Sequence, residues 1–222
     1  MKRLLSALAV TALSAGVLAT SAQAGPHNHG HDDHEHVTAD ASPAQVLEGR
    51  AIQADDHVIG AADAPAEMVV YASVTCGHCG RWFTEDWPAV KSELVETGRL
   101  RVALREFPTS PAEVAVAGFM IANCGKESDY WPNIERQFTE QEDIRAAFAA
   151  GQGREAFEAL AAESGVQDLQ ACLSNDAEFA RIDRAMARGE AAGVNAVPAF
   201  FLDGKALDGA HTAEAIAEAL GG

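Results

Sequence analysis

Met68-Val69-Val70-Tyr71-Ala72-Ser73-Val74-Thr75-Cys76-Gly77-His78-Cys79 is the stretch on which the fold turns. Its first four residues are an unbroken apolar run. Beyond Cys79, the apolar residues Phe83, Trp87, Val90 and Leu94 fall at helical spacing. A strand, a tight turn and a helix that begins at C-x-x-C form a redox arrangement. A thiolate, not a thiol, attacks disulfides, and the free N–H groups and positive dipole end of a helix stabilise a thiolate at Cys76. His78, between the two cysteines, can add a donor or a positive charge near that sulfur. Cys76 is therefore read as the exposed attacking sulfur and Cys79 as the resolving one. Half of a zinc site would need two further ligands at comparable spacing, and no second C-x-x-C occurs.

The chain has 222 residues, 48% of them hydrophobic, which suffices for one sizeable domain or a domain with an insertion. Four cysteines are too few to stand in for a core. With 16 basic against 33 acidic residues the net charge is −17, a surface that repels nucleic acid.

Residues 1–24 have the pattern of a secretory signal: Lys2-Arg3, an apolar run from Leu4 to Ala19, and a small-x-small site at Ala22-Gln23-Ala24. The run is short for a membrane span, so stable insertion is not expected, and the mature chain is placed in a periplasmic or secreted, oxidising setting. Residues 25–48 are read as a polar tether too poor in apolar residues to fold alone. It carries His27, His29, His31, His34 and His36, a tract read first as solvated linker and second as a metal-binding composition for copper or zinc.

Folded structure is expected from about Arg50, with a weak strand at Ala51-Ile52-Gln53-Ala54 and a stronger one over 67–73. The helix after Cys79 is expected to reach Thr97, kinked at Pro88 and closed by Gly98. Leu100, Val102 and Leu104 alternate with Arg101, Ala103 and Arg105, the pattern of a half-buried strand. From 110 to 192 the pattern is helical throughout, opened by Ser110-Pro111-Ala112-Glu113 as a capping box. A last strand at Ala199–Leu202, a two-residue turn at Asp203-Gly204, a return strand and a helix capped by Thr212 complete the chain. The fold class is thus α/β: residues 49–109 and 193–222 form one βα-rich domain, and 110–192 an all-helical insertion.

Cys124 and Cys172 lie on apolar helical faces. They could be buried free thiols or a second redox pair, but an oxidising compartment favours a structural disulfide between two helices.

With Cys76-Gly77-His78-Cys79, Val197-Pro198 and the helical insertion in this order, the chain from about 57 to 220 resembles the DsbA family of periplasmic thiol–disulfide oxidoreductases. Leu104-Arg105-Glu106-Phe107-Pro108 and Gly193-Val194-Asn195-Ala196-Val197-Pro198-Ala199-Phe200-Phe201 also fit that family. The resemblance implies a thioredoxin fold with an inserted helical domain, and a cis bond before Pro198. It implies that the Val197 backbone and Pro198 face the dithiol and pair with client. It further implies a redox-active disulfide with no other cofactor, exported clients with free thiols, and a membrane-bound, DsbB-like partner that re-oxidises the protein. Two residues depart from the family pattern. Gly77-His78 is the dipeptide of protein disulfide isomerase, whose potential is about −180 mV against about −120 mV for DsbA. Val70 also stands where many relatives carry a buried acid. An isomerase or reductase on the same fold is the nearest alternative function, and a metal-handling protein that uses the histidine tract is a more distant one.

Overall fold

The structure, a computed structural model, describes residues 41–221. The signal-like segment and the five histidines of the tract lie outside the described residues.

Helix α1 spans Pro43–Arg50, so the tether reading of 25–48 is overturned from Pro43 onward. The cause is a capping box. Ser42 Oγ accepts from the Gln45 N–H at 3.4 Å, and Gln45 Oε1 accepts from the Ser42 N–H at 2.9 Å, with Pro43 at the first helical position. The weak strand expected at 51–54 does not form either. The Ile52 N–H donates to Glu67 Oε1 and the Gln53 N–H to Asp56 Oδ2, so side chains take the place of a ladder.

Five strands form one sheet in the order β1-β3-β2-β4-β5. They are β1 His57–Ile59, β2 Ala66–Ala72, β3 Leu100–Glu106, β4 Ala199–Leu202 and β5 Lys205–Ala206. β2 and β3 are parallel, with Val70 opposite Leu104, and every other pairing is antiparallel. A parallel pair needs a crossover, and here helices α2 Gly77–Glu85 and α3 Trp87–Val90, followed by a π turn at Lys91–Val95, supply it. The helix expected to run on to Thr97 therefore breaks at Asp86, two residues before Pro88. A proline at 88 has no N–H for the carbonyl of Thr84 and its ring crowds that carbonyl. Gly98, with φ of +76°, makes the turn into β3.

β3 is not half-buried. Arg105 and Glu106 are as buried as Leu104, at 1% and 0% exposure. One face of the sheet (Met68, Val70, Val102, Leu104, Phe200) packs on α2, α3 and α10 Ala213–Ala219. The other (Val69, Tyr71, Phe201) is closed by Ala192 and Val194, and by the groups that meet Arg105. Both faces are covered, so the alternation in the sequence does not report exposure.

The helical stretch comprises α4 Ala112–Asn123, a 3-10 turn at Glu127–Asp129, α5 Tyr130–Thr139, α6 Gln141–Ala149, α7 Gly153–Glu163, α8 Leu169–Leu173 and α9 Asp176–Ala191. Phe119 of α4 and Trp131 and Ile134 of α5 share the core of the sheet, so this stretch is packed into the same interior. The expected capping box at its start is absent. α4 begins at Ala112 with Pro111 as its N-cap residue, one position beyond Ser110, and no side chain caps it. Behind α4 a smaller cluster (Ile121, Leu160, Ala161, Cys172) surrounds a disulfide between Cys124 and Cys172, 48 residues apart. Closing a loop of that length stabilises by about 4 kcal/mol in the chain-entropy account.

Candidate active site

β2 is buried at every residue but Glu67, and the chain leaves the sheet at Ser73 to meet the start of α2 within four residues. Ser73 is fully buried. Its Oγ accepts from the Thr109 N–H at 3.1 Å and lies 2.9 Å from Thr75 Oγ1, which donates to the Thr109 carbonyl at 3.0 Å. These hydroxyls tie the loop after β2 to the loop after β3. The Cys76 N–H bonds the Ser73 carbonyl at 3.0 Å, and the Cys76 carbonyl accepts the first bond of α2, from Gly80, at 3.0 Å.

Cys76 is the N-cap residue of α2, and no side-chain oxygen satisfies the first N–H groups of the helix. Its sulfur takes their place. The Cys76 thiol is held down at about 5, first by the hydrogen bond from the Cys79 thiol and then by the N–H groups of Cys79 and His78, against a desolvation cost. Cys79, with no exposed surface, moves the other way: burial raises it, and so does its role as donor to Cys76. The groups that act on Cys79 are Cys76 and the backbone N–H groups of Ser73 and Cys79 itself, none of them a carboxylate. Val70, 1% exposed, puts hydrocarbon where the resemblance implied an acid.

Val197 and Pro198 reach the same place from the far end of the chain. Their peptide bond is cis, and the Val197 carbonyl lies 3.4 Å from Cys76 Sγ, which donates to it when protonated. A cleft of about 340 Å³ opens beside this turn, lined by Pro198, Phe201, Leu207, His211 and Arg50. Arg50 crosses it to donate to the Ala192 carbonyl at 2.9 Å. A second, more apolar recess of about 180 Å³ lies on the helical side, among Val74, Val114, Ile144, Phe148 and Phe157.

His78 is placed differently from its sequence reading. Its ring is exposed, and Nδ1 stands 2.7 Å from Arg81 Nη2. A guanidinium only donates, so Nδ1 accepts and the ring proton lies on Nε2. His78 lowers the Cys76 thiol first through its backbone N–H and, less, through the charge of its ring when protonated. Sequence reasoning missed Arg81, although its position one turn beyond His78 on a helix was a visible signal. It also missed Gln141, which donates to the Val74 and Cys76 carbonyls from 65 residues or more along the chain. Cys124 and Cys172 lie in a separate cluster, away from the dithiol. Among the described residues no group of three or more His, Cys, Asp or Glu side chains could hold a metal ion.

A half-exposed, acidic cysteine at a helix start, a buried partner thiol and a facing cis-proline turn define a thioredoxin-fold dithiol protein. Residues 53–221 match the family profile described as thioredoxin, and the chain belongs to that family. It is similar to alpha-DsbA1 of Wolbachia pipientis, with 20% identity over 79% of this chain and 94% of that one and a TM-score of 0.70. Among curated sequences it matches a Na(+)/H(+) antiporter NhaA of Herminiimonas arsenicoxydans, 30% identical over 79% of this chain and 27% of the antiporter. It also matches a putative protein-disulfide oxidoreductase of Rickettsia prowazekii, 23% identical over 66% of this chain and 52% of the relative. The chain thus spans between a quarter and about half of these curated relatives.

Proposed function

We propose that this protein is an exported dithiol oxidase that introduces disulfides into client proteins bearing free thiols. One observation carries the reading: Cys76 stands at the start of α2, facing the cis-proline turn, where the Cys79 thiol and the N–H groups of Cys79 and His78 hold its thiol down, with Cys79 buried behind it. A stabilised thiolate makes the reduced enzyme the favoured form and its disulfide a strong oxidant. In the forward reaction a client thiolate attacks Cys76 Sγ of the Cys76–Cys79 disulfide. The client–Cys76 bond forms, and Cys79 leaves with the electron pair and takes up a proton. A second client thiolate then attacks the client sulfur and expels Cys76 as its stable thiolate. Two electrons have passed from client to enzyme, and the client holds the new disulfide. The Val197 backbone and Pro198 receive the client chain, and the neighbouring cleft accepts side chains that flank its cysteine. A membrane-bound, DsbB-like partner draws the two electrons off again. The signal-like segment supports export to the periplasm or beyond. Among the described residues no helix is long and apolar enough to cross a membrane.

Equilibration with a glutathione buffer tests the reading. A potential between about −180 and −120 mV is expected, and one near −270 mV would replace the oxidase by a reductase. In parallel, Cys79→Ser is expected to accumulate mixed disulfides with client through Cys76, and Cys76→Ser to accumulate few.

A further inference from the structure

Helix α6 opens at Gln141, and this side chain, 9% exposed, reaches away from its own helix into the reactive turn. Its Nε2 donates to the Val74 carbonyl at 2.7 Å and to the Cys76 carbonyl at 3.0 Å. A side-chain amide carries two N–H protons, so the one group serves both acceptors. The fit is made from the other side as well. Gly80, on the first turn of α2, has no Cβ, and one built there would lie 2.3 Å from Gln141 Oε1. A side chain from the helical stretch therefore clamps the two carbonyls on either side of Thr75, and α2 leaves the space for it.

The position of this clamp matters for the chemistry. The carbonyl of Cys76 is the hinge between the turn and α2, since it also accepts the first helical bond from Gly80. If it rotates, the N–H groups of His78 and Cys79 no longer converge on the sulfur that they stabilise. Both carbonyls also carry negative partial charge close to a developing thiolate. Without Gln141 the Cys76 carbonyl would keep only its bond from Gly80, and the Val74 carbonyl would lose the amide that holds it and relax by reorienting.

We propose that Gln141 is a positioning residue for the dithiol: by holding the Val74 and Cys76 carbonyls, it keeps the helix start aimed at the Cys76 sulfur and lets the helical stretch set how oxidising the pair is. The inference rests on the dithiol reading above, and it assigns Gln141 no contact with client. It predicts that the protein's redox poise responds to a residue outside the C-x-x-C motif and outside the cis-proline turn.

The test compares the wild-type chain with Gln141→Leu, which keeps the bulk and removes the donors, and with Gly80→Ala, which pushes the amide aside from the opposite face. Thiolate absorbance is followed through the acid range, and melting is measured for the reduced and the oxidised protein. Both variants are expected to move the Cys76 midpoint up by about half a unit to one unit, that is, about three- to tenfold less thiolate at a given acid pH. The melting advantage of the reduced form should narrow with it. A purely structural residue would lower both redox forms alike and leave the midpoint in place, and that result overturns the proposal. Should Gln141→Leu fail to fold, an unmoved midpoint in Gly80→Ala has the same force. Failure of the dithiol reading itself looks different, because the wild-type protein would then show an ordinary thiol midpoint near 8.5.

Discussion

At the scale of single residues, the two sulfurs differ through where their surroundings put charge. Cys76 meets converging N–H and S–H donors at the start of α2, whereas Cys79 meets hydrocarbon, Val70 included. That asymmetry follows from helix position and was readable from C-x-x-C alone. The part played by His78 was not, because the residue that holds its ring, Arg81, lies outside the motif. Arg81 holds the ring by Nδ1 at 2.7 Å. The charge of the His78 ring comes last among the influences that lower the Cys76 thiol, after the Cys79 thiol and the N–H groups of Cys79 and His78, so removing only His78 should change the potential little. Arg81→Leu releases the ring from that bond and lets it approach the thiolate. The expected result is a double-mutant cycle with coupling: Arg81→Leu more oxidising than Arg81→Leu/His78→Leu, with wild type and His78→Leu close together. A gap of 30 mV between the two Arg81 variants corresponds to about 1.4 kcal/mol for this two-electron couple. Glutathione equilibration of the four proteins measures it, and equal potentials in the two Arg81 variants would refute the idea.

At the scale of elements, α1 is held by its C-terminal carbonyls. Arg105 Nη1 donates to the carbonyls of Glu48 and Gly49, and Nη2 to that of Ala51 at 2.7 Å and to Asp56 Oδ2 at 2.7 Å. A fixed cation at the end of a helix meets the negative pole of its dipole. Gly49 is required there because a Cβ would lie 2.3 Å from the Arg188 carbonyl of α9. None of this was readable beforehand. Arg105 alternates with apolar residues, so it looked like the solvent side of a strand, and only the return of α1 and α9 over that face shows otherwise. β2, β4 with its Asp203-Gly204 turn, and the Thr212-capped α10 were readable, because their signals are local. The cap at Ser42 was equally local, and the polar composition around it hid it. Arg105→Met leaves the carboxylate of Asp56, 4% exposed at its side chain, with only the Gln53 N–H and the more distant Arg188 at 4.0 Å, and should cost about 3 kcal/mol in denaturant unfolding. Arg105→Met/Asp56→Asn should recover part of that loss. If the double variant is no more stable than the single one, the buried charge is not the cause.

At the scale of the whole molecule, the dithiol makes stability depend on redox state, and pH reveals how. The oxidised and reduced proteins share every titrating group except Cys76 and Cys79, so the difference in their stabilities isolates that pair. In the unfolded reduced chain both thiols ionise near 8.5. In the folded chain Cys76 ionises at about 5, so between about 5 and 8.5 the unfolded chain binds a proton there that the folded one does not. Stability of the reduced form therefore rises with pH across this window, and the contribution is lost as pH falls through about 5. Cys79 has the opposite sign. Burial and its bond to Cys76 hold its proton in the folded state well above the ordinary range. Above about 8.5 the unfolded chain releases that proton while the folded chain keeps it, and stability of the reduced form declines. The melting temperature of the reduced protein minus that of the oxidised protein should thus climb from about pH 5, peak near 8.5 and fall beyond it. Calorimetry of both forms from pH 4 to 10 gives the curve. A difference that stays flat between pH 5 and 8 would show that Cys76 has an ordinary thiol, and the proposed oxidase chemistry would go with it. A difference that levels off above pH 9 instead of falling would show that Cys79 ionises in the folded protein, and its assignment as the buried, protonated partner would have to be reversed.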